Sequence, residues 1–293
     1  MVGAFWPLSV RSENEHQRPS MVTPEESVAP IRPRRILVAE DHEPNRRLAK
    51  FMLESLGYSA DFAGNGLEAI KAWEQSGHDL IIMDCQMPEL DGFEATREIR
   101  RREAARPAGG GKPVRIVALT ANAVKGDREH CLAAGMDDYL SKPYTAQQLR
   151  EALEQTSNRT ATISPAPARP TPPAGAGFDP QRPAQLCAEL GDEGVREIIE
   201  DFLKELPQTA TEMETLAAAG QLKELVRLAH SLQGIGQTLG LEGFSAELRS
   251  LELAAAAGDR GAVEQGIRRL PGGAKQSVAA IGQWLVASYI GDT

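Results

Sequence analysis

Three acidic residues, Glu40, Asp41 and Asp84, directly follow short apolar runs: Ile36 to Ala39 precedes the first two and Leu80 to Met83 precedes the third. Surface acids usually lie on helix faces. Acids that close buried strands are brought close together and repel one another unless a cation sits between them. Mg²⁺ suits that place, because it is a hard cation that takes a few carboxylates, carbonyls and waters and completes its octahedron with phosphate oxygens. A carboxylate so placed can attack phosphorus and form an acyl phosphate. Asp84, on what reads as the central strand, is the candidate nucleophile. Two more groups are expected at the same edge, the Thr120 hydroxyl in Leu119-Thr120-Ala121 and the Lys142 ammonium in Tyr139-Leu140-Ser141-Lys142-Pro143. Phosphoryl transfer needs little beyond alignment and neutralisation of the equatorial oxygens, which Mg²⁺, Lys142 and Thr120 would supply. Singly, a strand-end Thr or Lys is usually solvated and an acidic pair after a strand is often a helix cap. Their joint order on one alternating pattern points to a site.

A second candidate is an imidazole. Of the five histidines, His16, His42, His78 and His130 sit in polar or boundary contexts and read as surface residues, with His42 pointing to solvent. His230 differs. Leu222, Leu225, Val226, Ala229 and Leu232 define one helix face, and His230 falls about 100° from Ala229, off that face. Gly234 lies one turn later, where i and i+4 are neighbours. Glycine there costs about 1 kcal/mol of helix propensity, yet it clears space beside the imidazole for another active site to approach. An exposed helix histidine is usually idle, so the weight rests on its surroundings.

The elements that must position these groups alternate from Arg34 to about Thr156. Ile36 to Ala39, Leu80 to Met83 and Val114 to Leu119 read as buried parallel strands, and helical patterns begin near Pro44, Gly66, Gly92, Lys125 and Thr145. Five strands alternating with five helices imply an α/β fold, a doubly wound parallel sheet with its site beyond the carboxyl ends of the strands. Residues 1–33 lack periodicity and read as a solvated tail, and residues 157–177 are rich in Pro and Ala and read as a linker. Past it, Asp179 and Pro180 form an N-cap and first-turn pair. Helical stretches follow near Val195 to Ala219, Gln221 to Gly236, Leu241 to Ala257 and Arg260 to Ser288, an all-α bundle over 178–290.

Composition narrows the function classes. A net charge of −9 argues against a nucleic-acid surface, which needs clustered Lys and Arg. Three cysteines without a CxxC pair disfavour disulfides and structural zinc, and fit a cytoplasmic location. The opening Val2 to Val10, broken by Pro7, is too short to span a membrane, so neither signal nor anchor is expected.

Residues 34–156 resemble the receiver domain of response regulators, as found at the carboxyl side of hybrid histidine kinases. The resemblance is carried by ILVAEDHEPN (Ile36 to Asn45), LIIMDCQMPELDG (Leu80 to Gly92), ALTANA (Ala118 to Ala123) and CLAAGMDDYLSKP (Cys131 to Pro143). It implies a flavodoxin-like (βα)5 fold with Asp84 as phosphoacceptor. It further implies Mg²⁺ on Asp41, Asp84 and the Gln86 carbonyl, with Glu40 assisting through water and Lys142 contacting the phosphoryl group. Thr120 and Tyr139 match the pair whose hydroxyl movement and ring rotation report phosphorylation, and the Lys142-Pro143 bond is often cis in that family.

Ala229 to Gly240 (AHSLQGIGQTLG), with Phe178-Asp179-Pro180 and Leu251-Glu252, resembles histidine phosphotransfer (Hpt) domains over about residues 178 to 290. That resemblance implies a four-helix bundle with His230 phosphorylated. One departure is Gln233, where Lys is frequent: Gln brings no charge against the −1.5 to −2 of phosphate. Arg227, one turn before His230, offers a compensating charge.

Together these imply a phosphorelay carrier without its own ATP-dependent kinase core, not an enzyme. A histidine kinase would phosphorylate Asp84, and the group would pass to His230 and then to a separate response regulator. About 22 linker residues span roughly 25 Å root-mean-square, enough for transfer within the chain. One rival makes the bundle a docking domain with His230 unphosphorylated. Another makes Asp84 a phosphatase nucleophile, but Asp84-Cys85-Gln86 lacks a second carboxylate two residues on.

Overall fold

The computed structural model describes residues 35–107, 111–120, 125–154 and 177–290. The expected tail over 1–33, and all of the expected linker but Gly177, lie outside the described residues. The first part runs β1 (Ile36–Ala39), α1 (Glu43–Ser55), β2 (Ala60–Ala63), α2 (Gly66–Ser76), β3 (Leu80–Asp84), α3 (Gly92–Ala104), β4 (Arg115–Thr120), α4 (Lys125–Ala134), β5 (Asp138–Ser141) and α5 (Ala146–Glu154). The strands pair in parallel in the order β2-β1-β3-β4-β5. This is the doubly wound, flavodoxin-like arrangement expected. The order reverses between β1 and β3, and a ligand crevice opens there beyond the carboxyl ends. The central strands are buried on both faces, which is why they read as unbroken apolar runs instead of alternating ones.

Local chemistry sets the loops that matter. Asn65 caps α2 by accepting from Glu68 N at 2.8 Å, and Glu68 Oε2 reaches back to accept from Gly64 N, the residue before the cap, at 2.7 Å. Asp91 caps α3 by accepting from Glu94 N at 2.7 Å. Gly92 follows, where any Cβ would collide with the Asp84 carbonyl oxygen; only glycine lets this loop close under the end of β3.

The second part comprises α6 (Gln181–Leu190), α7 (Asp192–Ala219), α8 (Leu222–Thr238), α9 (Glu242–Ala256) and α10 (Arg260–Ile290). Helices α7 to α10 pack in a closed ring, each against the next and α10 against α7. The sequence pattern left α6 without an element of its own. Asp179 starts it, its Oδ1 accepting from Gln181 N at 3.0 Å.

The two parts dock. Helix α1 packs on α6, α7 and α8, and one apolar cluster includes Leu48, Met52 and Leu53 of α1 with Ile198 and Phe202 of α7 and Leu232 of α8. Phe51 lies against Gly194, where an added Cβ would sit 3.4 Å from the ring. Arg47 pairs with Asp201, and Ala146 N at the start of α5 donates to Glu189 Oε2 of α6 at 3.0 Å.

Candidate functional site

The register Ala39↔Met83 brings Glu40 level with Asp84 just past the ends of β1 and β3. Glu40, Asp41 and Asp84 each offer a carboxylate oxygen within 4.8 Å of the others. Lys142, just past β5, places Nζ 2.6 Å from Glu40 Oε2 and 2.6 Å from Asp84 Oδ2. The cis Lys142-Pro143 bond follows. All three side chains of this triad are buried, so charge here is governed by few partners. Burial works against ionisation of Glu40, but Lys142 and a 3.0 Å hydrogen bond from Asn45 Nδ2 hold its carboxyl well below the usual range. For Asp84 burial wins and its carboxyl is pushed up, although Lys142 opposes this. Burial and the neighbouring Glu40 charge also raise Asp41, against Arg227 and Lys142.

This cluster fits a hard divalent cation. It supplies oxygen donors only, and Asp41 Oδ1 is buried without a hydrogen-bond partner. Gln86 is near, its backbone N donating to Asp84 Oδ1 at 3.1 Å. Thr120 closes β4, buried beside this edge. Its carbonyl accepts from Lys142 N at 2.7 Å. Tyr139 is half-buried and packs on the apolar cluster that contains Cys85, Met87 and Cys131.

His230 is not solvent-facing as its helix position suggests; only 5% of it is exposed. The reason is tertiary: what covers the polar face of α8 is the α/β part of the same chain. The Cβ missing from Gly234 would lie 3.8 Å from Lys142 Cδ. Asn45 Nδ2 is 3.5 Å from Ser231 O, and Arg227 Nη1 is 3.1 Å from Asp41 Oδ2. His230 Nδ1 sits 3.0 Å from Glu252 Oε1 of α9. A carboxylate only accepts, so Nδ1 donates in this pair, which in the neutral imidazole leaves the lone pair on Nε2.

Other expectations need correction. Gln233 is not a surface residue: 1% is exposed, and its Oε1 is buried without a partner. His78 is buried and pairs with Asp61 at 2.8 Å. His42 does not point to solvent either, for it is half-buried with Nδ1 inaccessible, and burial pushes its imidazole down to about 4. His130 is exposed as expected, and His16 lies outside the described residues. The three cysteines are free. Two contributors were missed. Asn45 stood in the first turn after the acidic pair, and Glu252 lay within a quoted motif, but neither has a spacing that marks its role.

A family model described as the response regulator receiver domain matches residues 36–154, and one described as the Hpt domain matches residues 197–284. The chain joins a receiver domain to an Hpt domain. Its relatives include hybrid histidine kinases. The virulence sensor protein BvgS of Bordetella bronchiseptica is 33% identical over 207 residues, 68% of this chain and 16% of that protein. The sensor histidine kinase GacS of Pseudomonas protegens is 31% identical over 222 residues, covering 74% and 24%. The chain thus spans about a sixth to a quarter of such relatives. Among solved structures, the receiver domain of a Pseudomonas aeruginosa sensor histidine kinase, with a magnesium ion coordinated in its active site cleft, is 43% identical. It covers 44% of this chain and 100% of that one, with a TM-score of 0.39. The complex of the Saccharomyces cerevisiae phosphotransfer protein Ypd1 with the receiver of Ssk1 also matches, at 35% identity, 41% and 86% coverage, and a TM-score of 0.38. No helix among the described residues is long and apolar enough to cross a membrane.

Proposed function

We propose that this chain is a phosphorelay carrier, with a receiver over 34–156 and an Hpt domain over 178–290 joined by the 157–177 segment. A histidine kinase phosphorylates Asp84; His230 Nε2 then attacks phosphorus, the P–O bond to Asp84 breaks, and Asp84 leaves as carboxylate. The observation that carries this reading is His230 buried against the receiver's own acidic cluster with Nδ1 tied to Glu252. That bond orients the ring and stabilises the charge that develops as the P–N bond forms. From His230 the group passes to the receiver of a separate response regulator, in the cytoplasm.

Asp41, Asp84 and the Gln86 carbonyl would hold Mg²⁺, with Glu40 acting through water. When bound, the ion neutralises phosphoryl oxygens that would otherwise face the acidic cluster. Lys142 contributes a fixed cation at the same oxygens, and the Thr120 hydroxyl a hydrogen bond. Thr120 and Tyr139 report the phosphorylated state to the surface.

Gln233 favours a second reading, a receiver switch whose Hpt domain only docks, because an uncharged side chain does less for phosphohistidine. One experiment separates the two. The chain is incubated with Mg²⁺ and labelled acetyl phosphate, alone and as Asp84→Asn and His230→Gln. The carrier reading expects a base-stable label on His230 that disappears in both variants. Label confined to Asp84 would favour the switch, and continuous phosphate release would favour a phosphatase.

A further inference from the structure

The docked geometry has a consequence for partners. Phosphoryl donors and acceptors in a relay are proteins, and a protein must reach Asp84 or His230 directly. In the docked chain Asp84 is 1% exposed, Lys142 8% and His230 5%. The face of α8 that carries His230, Gly234 and Arg227 is the face a second receiver needs, and the chain's own receiver occupies it.

We propose that this cis contact is a closed state that shields both phosphoryl-bearing residues from outside proteins, so that receipt and delivery each require undocking. The proposal rests on the carrier reading for its biological sense, although the shielding itself does not. The contact is built to hold and to release. Its apolar part is α1 against α7, with Phe51 on Gly194. The rest is polar: Arg47 with Asp201, Asp41 with Arg227, and Ala146 N with Glu189. Such mixed interfaces between domains of one chain are typically mobile. The tether favours closure, since a short connection holds the two faces at an effective concentration of about 1 mM. An outside receiver of equal affinity at about 1 µM therefore competes at roughly a thousandfold disadvantage. Undocking, and not collision, then limits exchange with partners.

Gly194 provides a wedge. The nearest atoms to a Cβ built there all belong to Phe51, so a tryptophan would grow into the receiver and not into the bundle. Arg47→Glu opens the contact by charge repulsion, and adding Asp201→Arg restores an opposite pair. The reagent is diethyl pyrocarbonate, which carbethoxylates accessible imidazoles, read by mass spectrometry on the full chain. Exposed His130 serves as internal reference.

His230 in the unmodified chain is expected to react at least about tenfold slower than His130. Gly194→Trp and Arg47→Glu should each remove most of that protection, and Arg47→Glu with Asp201→Arg should restore it. Transfer between chains is then measured from a His230→Gln chain labelled on Asp84 to an Asp84→Asn chain. It should quicken by about tenfold when the donor carries Arg47→Glu and the acceptor Asp201→Arg, which sets like charges against each other within each chain and leaves an opposite pair between the two chains. Reaction of His230 as fast as His130 in the unmodified chain overturns the proposal, as does transfer between chains that the split charge swap leaves unchanged while each change uncovers His230. If protection follows the expected pattern but no mixture ever yields phosphohistidine, the shielding stands and the carrier reading falls.

Discussion

Arg227 of the Hpt domain reaches across the interface to set Nη1 3.1 Å from Oδ2 of Asp41 in the receiver. The same carboxylate is an expected Mg²⁺ ligand, so guanidinium and metal act on one charge from two sides. Removing the cation should strengthen metal binding in the docked chain. Both groups are only partly screened, at 28% and 12% exposure, and loss of one charge a few ångströms away corresponds to an affinity gain of about three- to tenfold. Calorimetric titration of Arg227→Ala with Mg²⁺ at low salt checks this, and the gain should shrink as salt rises. Equal affinities would mean that Arg227 turns away when the ion enters.

Asp84→Asn should abolish Mg²⁺-dependent labelling by acetyl phosphate, since an amide is not a competent nucleophile and is also a poorer metal ligand. Persistent labelling at another receiver residue would move the nucleophile elsewhere in the cluster.

Lys142 neutralises two buried carboxylates at once. Lys142→Ala should therefore lose stability as well as phosphorylation, by about 3 to 5 kcal/mol in EDTA, because the carboxylates are left uncompensated. In the unmodified chain Glu40 is held down, so its contribution is present above its ordinary value of 4.5 and is lost as pH falls toward about 2. Asp84 is already pushed up with Lys142 in place, so the unmodified chain loses some stability as pH rises toward about 7. Without Lys142 the burial of Glu40 acts in the same direction, and the variant should lose more stability than the unmodified chain as pH rises from 5 to 8. Denaturant midpoints at the two pH values check this. Thermal or chemical stability indistinguishable from the unmodified chain would show that Lys142 is dispensable to the cluster.

Glu252→Gln should slow Asp84 to His230 transfer by at least about tenfold, because the amide no longer fixes the proton on Nδ1 and the lone pair on Nε2. Glu252 acts through His230, so it is a positioning residue, and the readout must distinguish positioning from folding. Single-turnover transfer measured from pH 6 to 9 should change in shape for Glu252→Gln, whereas a merely loosened bundle would lower the rate equally at every pH. Rescue by Glu252→Asp would support a carboxylate role.

The receiver site was legible because its chemistry is written in one dimension. Each acid closes an apolar run, and parallel pairing alone carries Glu40 to Asp84. Helix starts at Gly66, Gly92 and Lys125 matched for a similar reason, since caps and glycines are local signals. What could not be read were burials created by a second surface. His230 lies off the apolar face of α8, and helical periodicity assigns such a residue to solvent, because nothing in that stretch records that α1 will cover it. The burial of His78 escapes for the same reason at smaller scale: it lies in the loop before β3, and its partner Asp61 is 17 positions away on β2. The α6 helix carries only a short apolar stripe around Leu186, buried through contact with α7 and α1, so its pattern was too brief to stand out.

Gln233 is where burial most changes the forecast. At a solvent-facing site, a lysine beside phosphohistidine would contribute the ~0.2 to 1 kcal/mol of an exposed ion pair, no more than about fivefold, and salt would erase it. Gln233 is instead 1% exposed, with Oε1 lacking a partner. A charged donor in such surroundings makes a hydrogen bond worth about 1.5 to 3 kcal/mol, so Gln233→Lys should move the Asp84 to His230 partition toward histidine by about tenfold or more, with weak salt dependence. Before phosphorylation the same ammonium is a buried cation without the phosphate that would pair with it, which should weaken docking. Two measurements test both halves on one protein: the ratio of base-stable to base-labile label at equilibrium in low and high salt, and the thermal midpoint without phosphodonor. The expected pair is a histidine-ward shift that survives salt and a lowered midpoint in the unphosphorylated chain. A shift below about twofold with an unchanged midpoint would mean that the lysine reaches solvent past the receiver, and that the covering of this face is looser than the burial of His230 implies.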